Sequence, residues 1–184
     1  MRLAAVALLV ASFGMIIVQA QARPDPRLLL QLKQAFPGAA NFSAKETDPL
    51  PHFKAFVNGA RGAQTLAGYA FWTTDLQPLE RGYDGPIKVL VGIDLRGVLT
   101  GVIVVEHHEP YGDFSIDPPS FADQFRSKNV LEAFKVGSDI DAVSRATISV
   151  TSTSRAIRNS SRRISRAFQI GDAFTGVVNA PTTR

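Results

Sequence analysis

The chain has 184 residues, of which 45% are hydrophobic and 20% charged, so it can bury one sizeable core and has the composition of a single globular domain. Its 20 Lys and Arg against 16 Asp and Glu leave a formal charge of +4, too mild to signal nucleic-acid binding. The lack of cysteine excludes disulfide scaffolds, thiolate metal sites, iron–sulfur clusters and thiol catalysis, and three histidines (His52, His107, His108) are too few for a multi-histidine metal centre. Any redox chemistry must use an organic cofactor.

Met1-Arg2 supplies a positive start, Leu3 to Val18 carries no charge, and Ala20-Gln21-Ala22 fits the small-x-small pattern of a signal-peptidase site. Residues 1–22 therefore read as a secretory signal peptide. An uncleaved N-terminal anchor is the alternative, since the apolar run is close to the lower limit for spanning a bilayer. Either reading places residues 23–184 outside the cytoplasm, in a periplasmic or extracytoplasmic space, where no nucleic-acid partner is expected. Within them, 27–170 reads as the folded core and 171–184 as a loose tail.

Pro26 to Phe36 reads as a helix, with Pro at a first-turn position and Leu28, Leu29, Leu32, Ala35 and Phe36 at helical spacing. Extended stretches follow near Asn41–Glu46, His52–Val57 and Gln64–Thr74, then a turn-rich loop from Gln77 to Pro86. Ile87–Asp94 and Leu99–Glu106 are rich in β-branched residues and joined by a short connection containing Gly97, which predicts an antiparallel hairpin near the centre of a sheet. Pro118-Pro119 introduces a helix over Ser120–Ser127. The last helix runs from Thr151 to Gln169, with an apolar side and a basic side of Arg155, Arg158, Arg162 and Arg166. That basic side reads as the solvated face of a helix docked on the sheet; contact with anionic lipid or an acidic partner is the alternative. The fold class is α+β, with one antiparallel β-sheet and helices packed on it.

One segment stands apart, the hydroxyl-rich run from Asp139 to Ser154 just before that helix. Two readings stay open on the residues alone. The hydroxyls cap the helix N-terminus, or with the free N–H groups there they hold a phosphate. No Gly-x-Gly-x-x-Gly or Walker lysine accompanies them, so the usual nucleotide folds gain no support.

Asp141-Ala142-Val143-Ser144-Arg145-Ala146-Thr147 resembles the Asp-x-x-Ser/Thr-Gly-Ala-Thr signature of FMN-binding domains. These occur in sodium-pumping quinone reductase and Rnf-type flavin subunits, and in the periplasmic part of the nitrous-oxide-reductase regulator family. Gly82-Tyr83-Asp84-Gly85-Pro86 leading into the hairpin is similar to their central hairpin, and Glu106 to Gly112 is similar to the regulator branch in particular. Arg145 departs from the pattern, standing where glycine is usual. The resemblance implies FMN as cofactor, attached through a phosphoester to Thr147 by a flavin transferase from FAD and magnesium. Around it, Asp141, Ser144, Ala146 and Ser149 would form the attachment motif, with His108 and Glu109, together with Tyr111, beside the flavin. It also implies an electron carrier rather than an enzyme, with membrane or periplasmic redox partners.

Two alternatives accompany that reading: a flavin-free binding or sensory domain of the same fold, and an extracytoplasmic flavin reductase. Tyr69 and Trp72 could stack on a flavin ring, but aromatics in a β-run are more commonly core, and that reading is preferred. Glu106-His107-His108-Glu109 invites a metal reading. In an extended strand its alternate residues face opposite sides, so the four cannot converge, and no metal site is expected.

Overall fold

Five strands run in chain order across one antiparallel sheet, β1 (Asn41–Phe42), β2 (Phe53–Asn58), β3 (Gln64–Trp72), β4 (Lys88–Asp94) and β5 (Leu99–Glu106). This computed structural model describes residues 25–76 and 78–171. The expected signal peptide at 1–22 lies outside the described residues, as does the tail apart from Gly171. The helices are α1 (Pro26–Ala35), the short α2 (Gly112–Ser115) and α3 (Pro119–Asp123), and α4 (Thr147–Phe168). The α+β architecture with one antiparallel sheet is thus what the sequence predicts.

The sheet is covered on both faces. Val89, Val91 and Ile93 of β4 point into the larger core with Tyr69, Phe71 and the α4 residues Val150, Ile157 and Ile164. Leu90 and Trp72 point the other way, toward Leu32 and Ala35 of α1. Alternation along β4 is therefore the device that separates two apolar layers. Burying each such side chain contributes about 1.5–3 kcal/mol. Tyr69 stacks on Phe168 at 4.1 Å, and Trp72 lies under the Lys88 ammonium at 4.8 Å, so both aromatics serve the core.

Two glycines let α1 come close. Gly92 and Gly101 are cross-strand partners, and a Cβ on either would run into the Ala35 carbonyl. Thr100 Oγ1 donates to that same carbonyl at 2.7 Å, which satisfies one of the last acceptors of the helix. α1 itself starts as expected, with the Asp25 side chain accepting from the Arg27 N–H and Pro at the first turn.

Several elements differ from expectation. β1 keeps only two residues; the stretch to Glu46 rejoins the sheet as a single bridge to His52. β5 lies at the edge of the sheet rather than its centre, and its start is covered by residues 127–130, where Ser127 N donates to Leu99 O and Leu99 N to Lys128 O. That covering gives the edge its apolar sequence. α3 ends at Asp123, and α4 begins at Thr147, four residues before the expected Thr151.

Candidate functional site

The early start of α4 follows from how its hydroxyls are used. Thr153 Oγ1 donates to Ser149 O and Ser154 Oγ to Val150 O, each at 2.7 Å, and both side chains are buried. Hydroxyls that bond back to the preceding turn sit inside a helix without competing for its backbone. The helical ladder begins with Val150 N donating to Ala146 O at 3.1 Å, which makes Ala146 the N-cap and Thr147 the first helical residue. Just before it, Arg145 takes the left-handed conformation at φ 69°. The turn needs that conformation, and it suits glycine.

Glu109 holds this helix end to the rest of the domain. Its carboxylate is buried and accepts three donors: Tyr83 N at 3.0 Å, Asp84 N at 3.3 Å and Ser149 Oγ at 2.5 Å. One side chain thereby joins the 82–84 turn, the segment after β5 and the first turn of α4. Gly82 makes room for it, since a Cβ there would collide with Glu109 Oε1. The segment after β5 is in turn shaped by His107. The Glu109 N–H donates to His107 Nδ1 at 3.0 Å, so the ring proton sits on Nε2 and faces Asp117 Oδ1 at 2.7 Å. Strand pairing stops at Glu106 and this turn replaces it.

These constraints leave an open cleft beside Thr147, with Tyr83, Pro110, Tyr111 and Ile148 as apolar walls and Arg145, Ala146, Thr147 and Ser149 along the helix end. Tyr83 is 71% exposed, Ile148 55% and Tyr111 45%, so together they present apolar surface to the cleft. Thr147 is exposed, so its hydroxyl is open to the cleft rather than spent in the core. The first N–H groups of a helix have no intrahelical acceptor, and the helix dipole adds positive potential there. The arrangement offers an anion site next to apolar walls.

The residues expected to form the site divide into three groups. Thr147, Ala146 and Ser149 line the cleft, although the Ser149 hydroxyl is committed to Glu109. Glu109 supports the cleft from below. Asp141 and Ser144 are exposed outside it; the Asp141 N–H donates to Gln124 Oε1 at 2.6 Å and so ties the approach to α4 onto the segment after α3. His108 faces a separate cleft, with Thr74, Pro86, Lys88 and Glu106. The structure adds Tyr83, Ile148 and the organising His107, which sequence reasoning does not place in the site. The signal for Tyr83 is a tyrosine inside a polar glycine turn, where no core could claim it. Among the described residues, no group of three or more His, Asp or Glu could hold a metal.

Residues 82–162 match the family model of the FMN-binding domain. The matched stretch opens at Gly82 under Glu109, takes in the β4–β5 hairpin and the 141–147 segment, and ends within α4. The likeness to the FMN-binding domain family that the motifs implied is thus found in this segment, and the cofactor it indicates is FMN. The chain is also similar to a subunit of the ion-translocating oxidoreductase complex in Haemophilus influenzae strains PittEE and 86-028NP. Each relative is 36% identical over 77 residues, which covers 39% of this chain and 35% of the relative. The similarity thus spans about a third of those relatives' length.

Proposed function

We propose that the domain is an exported electron carrier that holds FMN on Thr147 through a phosphoester. The observation that carries this reading is the exposed Thr147 hydroxyl at the first residue of α4, opening on a cleft walled by Tyr83, Tyr111 and Ile148. The fit is good on both halves of the cofactor. The helix N-terminus supplies N–H donors and dipole for a phosphate, and Arg145 supplies a cation. The apolar walls suit a planar ring, which favours stacking on aromatic faces.

In this reading FMN supplies reversible electron uptake, and the protein supplies retention and placement. Attachment forms the Thr147 Oγ–P bond and breaks the pyrophosphate of FAD; AMP leaves, and the hydroxyl proton is lost. A transferase with magnesium performs the step. Outside the cytoplasm a covalent tether keeps the cofactor at high effective concentration whatever its affinity. Glu109 fixes the helix end against the 82–84 turn, so the two sides of the cleft keep their separation. The relatives are subunits of an ion-translocating oxidoreductase complex, which supports membrane redox partners for this domain too. No described helix is long and apolar enough to cross a membrane.

Co-expression with a flavin transferase and export should add the mass of FMN less water, and the adduct should fluoresce through denaturing electrophoresis. Thr147→Ala should abolish it, while Thr151→Ala should retain it. An unmodified wild-type chain, made beside a transferase proven active on another substrate, overturns the covalent reading and favours a flavin-free binding domain.

A further inference from the structure

A second groove opens one turn further along α4. Between the helix and residues 133–136 lies a cleft of about 510 Å³, lined by Thr151, Arg155, Arg158 and Arg162 on one side and by Phe134 and Lys135 on the other. α4 contributes no acidic side chain along its 22 residues. Among the described residues, Arg155 is the one cation of the groove held by a carboxylate, Glu80 at 3.3 Å. Arg158 donates to Ala133 O, and Arg162 to the carbonyls of Val130, Leu131 and Glu132. Those acceptors are neutral, and among the described residues no carboxylate pairs with either guanidinium. Burial, and the neighbouring Arg158 and Arg166, push Arg162 below the usual guanidinium value.

The carboxylates of the facing loop are already committed. Glu132 bonds Lys128 at 3.0 Å, and Asp139 accepts from the N–H groups of Phe134 and Lys135 and lies 3.5 Å from Lys128. Neither is among the residues that line the groove, whose charged side chains are all basic. Sequence reading takes these arginines as a solvated face. Their geometry is different: two of them are braced against backbone carbonyls, so the charges are held in fixed places rather than on freely moving side chains.

We propose that this groove is a docking surface for an acidic surface of a partner protein. Charge complementarity argues for that occupant: among the described residues Arg158, Arg162 and Lys135 have no carboxylate partner, and these three cations along an open cleft match a run of Asp and Glu side chains. The position gives the surface a use. Thr151, at the near end of the groove, stands one helical turn, about 6 Å, from Thr147, and Arg155 and Arg158 about 12 and 16 Å along the same helix, so a partner seated in the groove comes within reach of the first site. The proposal rests on α4 and the 133–136 segment and is independent of whether Thr147 carries flavin.

The test uses the full chain without cofactor and a fluorescein-labelled oligoglutamate peptide, read by anisotropy at low and high salt. Binding should weaken with added salt, by about tenfold with Arg158→Gln and by about threefold with Lys135→Gln. Lys135 is exposed and makes no side-chain ion pair among the described residues, so its loss tests the charge without touching the fold. Lys33→Gln on α1 should bind as the wild type does. Unchanged affinity in both groove variants overturns the proposal. So does displacement of the peptide by inorganic pyrophosphate at far lower concentration, which marks a small-anion site. Binding to phosphatidylglycerol vesicles without binding to the peptide, which marks a membrane surface, overturns it as well.

Discussion

The Ser149 hydroxyl donates to the buried Glu109 carboxylate across 40 positions of sequence, and this bond fixes the first turn of α4 to the segment after β5. With Ser149→Ala, Glu109 keeps its two backbone donors, and stability should fall by about 1–2 kcal/mol. Glu109→Ala should cost more, about 3 kcal/mol, because it strands the Ser149 hydroxyl and two N–H groups together. Urea unfolding of the two variants checks the order. Equal losses would show that Glu109 is not the common acceptor.

Gly82 is required by volume rather than by its backbone angles. A Cβ there would collide with Glu109 Oε1 and lie 2.6 Å from Glu109 Cδ and 2.9 Å from Ile87 Cδ1. Gly82→Ala should therefore destabilise by about 1–3 kcal/mol by displacing the carboxylate from its donors. In Gly82→Ala with Glu109→Ala the two nearest clashing atoms are gone and only the Ile87 Cδ1 contact remains, so the double variant should be less destabilised than the sum of the two single changes. A strictly additive double variant contradicts the clash.

Much of the sheet was legible because β4 and β5 carry the β-branched pattern and the glycine-bearing connection of a hairpin. The glycines themselves said less: Gly92 and Gly101 look like weak points in strands until α1 is laid across them. The start of α4 was misread for a physical reason. Serine and threonine favour caps and turns on propensity, yet here Thr153 and Ser154 satisfy themselves on the preceding turn and remain inside the helix. Thr147 stands out in the sequence through the 141–147 motif. Tyr83 and Ile148 do not, because their role depends on a cleft that forms only when residues 83, 111 and 148 meet.

Arg145 offers a test of the turn before α4. At φ 69° a side chain bearing a Cβ costs about 1–2 kcal/mol, and glycine removes that cost while giving back part of it as entropy of the unfolded chain. The guanidinium also sits at the end of the helix that disfavours cations. Arg145→Gly should thus stabilise the cofactor-free protein by about 0.5–1 kcal/mol, seen as a rise of about 2 °C in Tm. In protein carrying flavin as proposed on Thr147, the gain should shrink, since the variant would give up a cation beside the phosphate. An identical gain in both forms would argue that Arg145 only obstructs the turn.

Asp139 should make the 134–139 loop sensitive to acid. Burial pushes its carboxyl up, but N–H donors from Lys135 and Phe134 and the nearby Lys128 ammonium outweigh burial and hold it below the ordinary carboxylate value. A carboxyl lowered by folding adds stability that is fully present above its unfolded value, about 3.9, and is lost as the pH falls through the folded one. Asp139→Asn keeps one oxygen acceptor but loses the charge, so it should cost about 1–2 kcal/mol at pH 7. As the pH drops from about 4 down through that lower folded value, the wild-type carboxyl takes up its proton and the charge advantage is lost, so the two proteins should converge in stability. Thermal melts of both proteins from pH 7 to pH 2 measure the gap. A gap that stays constant over that range would mean the Asp139 charge contributes nothing to holding the loop.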